Sequence, residues 1–224
     1  ALGYYFETEI RIYDLMLRTL APHISNILPA GSFGSVCVTF IGGTHPDTKR
    51  HFTIVEPQLG GWCAMKGRDG NTAMFSLIHG ETFNCPSEIA EARYGVYVDQ
   101  VTLNSEQGGE GEWRGGKGIV VDYRIRSDNI FLTLGFTRSR ILPWGVNGGV
   151  DGSTNYVEVI RNSGECDRYA IATGVIVNKD DIVRIHTGNG AGYGHPRKRS
   201  MDAILLDIRN EYLTLERAKE VYYI

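Results

Sequence analysis

Residues 118–127, GIVVDYRIRS, and 129–139, NIFLTLGFTRS, decide the fold class. In both runs apolar and polar residues alternate with period two, and β-branched or aromatic types predominate, which is the pattern of a half-buried strand. Ser127 and Asp128 mark the turn, so the pair reads as an antiparallel hairpin. Working outward, SVCVTFI (35–41) and HFTIVE (51–56) read as a second hairpin across a turn-rich GGTHPDTK. GVYVDQVTL (95–103) and the runs at 155–161, 168–178 and 181–187 read as further strands, bounded by Gly, Asn or Asp. Helical patterns lie towards the ends. ETEIRIYDLMLRTL (7–20) is closed by Pro22, Ser200 caps MDAILLDIRNEY, and Thr214 caps LERAKEVYY. PSEIAEARY (86–94) adds a short helix, with Pro86 suited to its first turn. The expectation is a β-rich α+β chain with antiparallel hairpins, a short N-terminal helix and a helical C-terminal tail. It forms one region: a helical lead-in over 1–28, a β-rich body over 29–190 and a helical tail over 197–224.

Composition narrows the function classes. The 224 residues are 42% hydrophobic and 22% charged, with a formal net charge of −3. That supplies a core and gives no electrostatic reason for nucleic acid or an anionic membrane as partner. No run approaches the ~18 apolar residues of a membrane span. The first residues lack the basic and apolar regions of a signal peptide. The four cysteines (Cys37, Cys63, Cys85, Cys166) form no CxxC pair, and reduced thiols in the cytoplasm are expected. Glycine is the unusual count, 28 of 224 residues, against an average of about 7%. Tight turns and close backbone approaches are the uses that such a number suggests.

Familiar motifs fail on inspection. Gly111 to Gly118 has P-loop spacing up to Gly116-Lys117, but Gly118 replaces the magnesium-binding hydroxyl and a strand follows, so a turn between strands is the better reading. His79, Glu81 and Cys85 resemble half of a deaminase zinc signature without its second thiol. The run 188–194, GNGAGYG, puts Tyr193 where a dinucleotide fingerprint needs its third glycine; it reads as backbone passing close to a neighbouring segment or subunit. Arg197-Lys198-Arg199 reads as a solvated patch flanking a helix. Glu88 and Glu91 share a helix face near its start, where carboxylates mostly complement the helix dipole.

Taken in order, the glycine-marked segments resemble one family. They are LPAGSFGS (28–35), Gly60-Gly61-Trp62 with Asp69-Gly70, FNCPSEIAEARY (83–94) and EQGGEGEWRGGKGIVVDYR (106–124). LPWGVNGGVDGS (142–153), TGNGAGYGHP (187–196) and DIRNEYLTLERAKEVY (207–222) complete the series. Together they resemble the C-terminal part of a hydantoinase B-type subunit, a family that includes N-methylhydantoinase, 5-oxoprolinase and the acetone and acetophenone carboxylases. The resemblance implies one subunit of an ATP-dependent complex that hydrolyses a cyclic amide. The alternatives are a ketone carboxylase subunit and a non-catalytic β-rich assembly subunit. It further implies Mg-ATP on a hydantoinase A-type partner, and a divalent metal in an N-terminal B-type half or subunit, so no metal ligand is assigned here. Asn84, Glu88 and Arg114 are the candidate catalytic residues, because they sit beside Pro86 or glycines in the most family-like segments. His195 departs from the family's Gly-Asp-Pro.

Overall fold

The computed structural model describes residues 5–78 and 82–224, so His79 and Glu81 lie outside the described residues. The elements run α1 (Tyr5–Ile24), β1 (Val38–Thr44), β2 (His51–Glu56), α2 (Ser87–Arg93), β3 (Val96–Leu103), β4 (Ile119–Ile125) and β5 (Ile130–Gly135). They continue as β6 (Tyr156–Ile160), β7 (Cys166–Tyr169), β8 (Ile171–Val177), β9 (Ile182–His186), a 3-10 turn (Pro196–Lys198), α3 (Met201–Arg209) and α4 (Leu215–Tyr222). The strands form two antiparallel sheets, ordered β2-β1-β5-β8 and β3-β4-β9-β6-β7. The chain is α+β, and none of its described helices is long and apolar enough to cross a membrane.

Both alternating runs of the opening stretch are strands, but they do not pair with each other. β4 bonds β3 and β9, whereas β5 bonds β1 and β8. Alternation encodes which face a side chain takes, not which edge its backbone bonds. The faces are as read: Ile119, Val121, Tyr123 and Ile125 of β4 share one core with Ile130, Leu132 and Leu134 of β5. The turn residues are occupied elsewhere. The Ser127 hydroxyl donates to the Thr44 carbonyl, and the Asn129 N–H donates to the Asn178 side chain. Residues 168–178 likewise divide, because β7 bonds β6 in one sheet and β8 bonds β5 in the other.

The β1–β2 hairpin forms as read, from Thr39 opposite Glu56 to Thr44 opposite His51. Its first strand starts three residues later than the apolar run, at Val38. Glu7 of α1 accepts from the Ser35 hydroxyl (2.7 Å) and the Val36 N–H (2.6 Å), and Cys37 takes a left-handed φ of 50°. α1 itself continues past Pro22 to Ile24. Proline removes one helical hydrogen bond, but Ala21 packs with Trp144, and Asp14 holds both Arg138 and the Trp144 indole from the same helix. Its other side leaves Ile12, Leu15, Met16 and Leu20 exposed. The caps match the sequence: Ser200 accepts from the Ala203 N–H, and Thr214 accepts from the Arg217 N–H.

Between the sheets and the C-terminal helices lies a layer of extended backbone, and residues 111–118 belong to it rather than forming a turn. At its centre runs 188–194. Gly190 donates to the Gly116 carbonyl, Ala191 to Gly31, Gly192 to Val150 and Gly194 to Val146, while Gly61 and Ala64 donate back to Gly188 and Ala191. A β-strand has two neighbours; this segment has four. Such close packing leaves no room for side chains at the glycines. A Cβ on Gly116 would lie 1.8 Å from the Asn71 carbonyl oxygen, and one on Gly190 would lie 2.1 Å from that of Trp62.

Gly116→Ala and Gly190→Ala are each expected to destabilise the fold by about 3 kcal/mol or more, because the obstructing atoms are backbone. Gly67 has a φ of +84° and open space around its Cβ position. Gly67→Ala should therefore cost only the ~1–2 kcal/mol of a left-handed L-residue. Urea denaturation of the three variants checks the contrast.

Candidate functional site

α3 and α4 fold back over residues 103–117 and enclose a cavity of about 200 Å³. Its charged lining comes from Glu106, Glu110, Arg114 and Lys117 of the extended segment, from Asp207 and Arg217 of the two helices, and from Glu211 between the helices. The helices are pinned by a buried ion cluster. The Arg199 guanidinium donates two bonds to Asp69, both 2.8 Å, and two more to Asp207 at 2.7 and 3.0 Å. The other Asp207 oxygen accepts from Arg114 Nε at 2.8 Å, and the Asp69 carboxylate also accepts from the Arg114 N–H at 2.8 Å. Such fork-shaped pairing fixes position as well as charge. Arg114 stacks on the Tyr212 ring, 4.1 Å from its centroid. Arg217 donates to Glu110 at 2.7 Å and to Glu220 at 2.9 Å, which ties α4 to the same segment.

Burial alone would raise the Asp69 carboxyl, but the hydrogen bonds and charge of Arg199 outweigh it and hold the pKa below its ordinary 3.8. Burial pushes the Lys117 ammonium down, against the attraction of Glu110. Burial also pushes the Tyr222 phenol up to about 12.

Of the three residues singled out by sequence, Arg114 lines this cavity, whereas Asn84 and Glu88 do not. Asn84 precedes α2 and donates to the Pro57 carbonyl (2.8 Å) and to Glu56 (3.0 Å), joining α2 to the end of β2. Glu88 is exposed in the first turn of α2. Glu91, one turn on, accepts from the Val98 N–H at 2.9 Å. His195 is exposed, and its ring nitrogen accepts from the Arg197 N–H, so it supplies the turn-capping acceptor that an aspartate there would supply. The basic triplet departs from the sequence reading: Arg197 and Lys198 are solvated, but Arg199 is buried at the centre of the ion cluster.

The P-loop-like stretch cannot cradle a phosphate as it stands. The N–H groups of Arg114, Gly115, Gly116, Lys117 and Gly118 donate to Asp69, Gly109, Trp62, Thr72 and Asn189. No backbone donor remains there for an anion nest. Among the described residues, no three of His, Cys, Asp and Glu converge as a metal site. The donor set of the described residues therefore does not fit a resident metal.

The fold and cavity define a two-sheet α+β module with a glycine-packed layer and a pinned helical cap. The Hydantoinase B/oxoprolinase family profile matches residues 1–196, and the chain belongs to that family. It is 32% identical over 96% of its length to an uncharacterized protein of Methanocaldococcus jannaschii. It is 25% identical over 97% of its length to a provisionally named B-type subunit of a D-/L-hydantoinase from Pseudomonas sp. strain NS671. The chain spans 37% and 36% of the lengths of these relatives. Its fold is similar to that of an ATP-dependent caprolactamase from Pseudomonas jessenii, with a TM-score of 0.77 at 23% identity, over 91% of this chain and 36% of that one.

Arg199→Met should remove about 3–5 kcal/mol by leaving Asp207 and Asp69 short of their buried partner. Because the Asp69 pKa is depressed in the fold, its contribution is present above 3.8 and lost as pH falls through the lower folded value. Wild type should therefore lose stability on acidification below pH 3.8, and Arg199→Met should lose less over the same range. Thermal melts of both proteins between neutral and acid pH check the magnitude and the slope.

Proposed function

We propose that this chain works in the cytoplasm as the C-terminal region of a B-type subunit, within an ATP-dependent complex that hydrolyses a cyclic amide. The observation that carries the reading is the family match over residues 1–196. The complex would pair the chain with a hydantoinase A-type subunit that holds Mg-ATP, and with an N-terminal B-type half that carries a divalent metal. Occupied N–H donors at 114–118 agree with a nucleotide site on another chain. The exposed apolar row on α1 agrees with a covering partner, since a helix apolar on two sides is ordinarily buried. ATP would supply a phosphoryl group, turning an amide oxygen into a leaving group.

Within this reading Arg114, Asn84 and Glu88 remain the candidate catalytic residues. Arg114 has the clearest physical claim, because its guanidinium lines a cavity and is oriented by Asp207 and the Tyr212 ring. Glu88 is an exposed carboxylate that makes no side-chain hydrogen bond among the described residues, so its substitution leaves the fold intact.

The test is reconstitution of the three components, with hydantoin, 5-oxoproline and caprolactam supplied alongside ATP. Ring opening coupled to phosphate release is expected with at least one of them. Bicarbonate-dependent consumption of acetone without ring opening would overturn the hydrolase in favour of a carboxylase. Arg114→Lys, Asn84→Ala and Glu88→Gln are expected to lower turnover by about 10²-fold with assembly intact. Loss of assembly in these variants would mark the chain as an assembly subunit instead.

A further inference from the structure

The cavity under α3 and α4 contains two charged groups whose bonding is incomplete, and they are of opposite sign. Three cations line it, and two are neutralised within the chain: Arg114 by Asp207 at 2.8 Å and Arg217 by Glu110 at 2.7 Å. Lys117 is different. Among the described residues no carboxylate lies within salt-bridge distance of its ammonium. Its one side-chain hydrogen bond goes to the Glu106 carbonyl at 3.2 Å, although an ammonium carries three donors. Glu110 is 6% exposed; its Oε1 accepts from Arg217, and its Oε2 is buried with no partner. An unpaired buried acceptor is costly to the fold, and a suitable donor would offset that cost.

No salt bridge joins these two groups among the described residues, and the backbone of each is fixed. Lys117 stands between Gly116 and Gly118, both locked against neighbouring backbone, and its own N–H is bound to Thr72. Glu110 is fixed through Arg217 on one side and through its carbonyl, which accepts from the Val150 N–H, on the other. An anion would satisfy Lys117 alone and a cation would satisfy Glu110 alone. A molecule with both charges satisfies the pair. At about 200 Å³ the cavity is smaller than the ~300–1,000 Å³ of sites for drug-sized ligands, so its occupant is small. Tyr212, Leu213 and Leu103 supply apolar wall for a short methylene chain.

We propose that this cavity is a binding site for a small amino carboxylate, its carboxylate on the Lys117 ammonium and its ammonium on Glu110. The ligand class follows from the cavity's own chemistry; because ring opening of a lactam yields an amino carboxylate, it also matches the product class of the cyclic-amide reading, on which binding itself does not depend.

Titration calorimetry of the chain with 4-aminobutyrate, butyrate and butylamine tests it without ATP or partner chains. Saturable binding of 4-aminobutyrate is expected, with butyrate and butylamine each weaker by about tenfold or more. Lys117→Met and Glu110→Gln should each weaken 4-aminobutyrate by about tenfold, with circular dichroism confirming that each variant is folded. If either variant fails to fold, the comparison of the three ligands on the wild-type chain still decides the matter. Equal affinity for the three, absence of saturable binding, or unchanged binding by folded Lys117→Met overturns the proposal. Such a result would leave ATP-coupled ring opening by the assembled complex untouched, and the reverse also holds.

Discussion

Backbone lying directly on backbone, with no Cβ between, is the contact on which the rest of this molecule depends. Residues 188–194 bond to segments near Gly31, Gly61, Gly116 and Val150, and at Gly61, Gly149 and Gly190 the facing backbone lies too close for a side chain. Extended segments that bond in four directions cannot be satisfied as a sheet, so the layer must draw some partners from side chains. The buried asparagines serve this need. Asn189 accepts from the Gly118 N–H and donates to the Glu106 carbonyl, while Asn155 accepts from the Gly188 N–H and donates to Phe33 and Thr137. Buried backbone polar groups are costly when unpaired, which explains why glycine and asparagine occur together here.

The same layer places the cavity. Because Gly115, Gly116 and Gly118 are pressed flat against their neighbours, the side chains between and beside them have little choice of direction. Arg114 and Lys117 are presented on a closely packed surface, and the Arg199–Asp207 cluster brings α3 onto it. A buried ion pair is a poor source of net stability but a strong determinant of register, since any misplacement leaves a charge without a partner. Here it determines where two short helices sit, helices whose own apolar contact is confined to Ile204, Ala218, Tyr222 and a few neighbours. The rigid layer and the ion cluster together make an otherwise weakly packed tail into a cap.

Much of this was legible in the sequence, and what was not has a common cause. Period-two alternation located the strands, and Ser200 and Thr214 marked the starts of α3 and α4, because each signal is carried by residues close in the chain. Partner choice is not local. β4 and β5 show similar alternation and adjoin in sequence, yet they occupy different sheets because bonding edges are selected by strands far away in the chain. Arg199 sat in a basic triplet that looked solvated; its burial is set by Asp69, 130 residues away. Arg114 could be singled out beside its glycines, but the partner that orients it, Asp207, lies 93 residues further on. Asn84 shows the opposite case, since a polar residue in a motif-like stretch also satisfies the backbone at Pro57.

The glycine excess therefore carries two separable kinds of information. At Gly67 and Gly164 a left-handed φ with open space around it is a local demand, and any sequence needing the same turn would show it. At Gly116 and Gly190 the demand comes from another segment's backbone, so neither position can change unless its neighbour moves as well. Requirements of the second kind link residues 31, 61, 116, 149 and 190 into one unit, and the order of such glycines along the chain becomes a record of which segments are stacked. That is why an ordered series of glycine-marked segments identified the family when no single loop could. It also explains why the series is silent on chemistry: the glycines hold Arg114 and Lys117 in place but supply no functional side chain of their own.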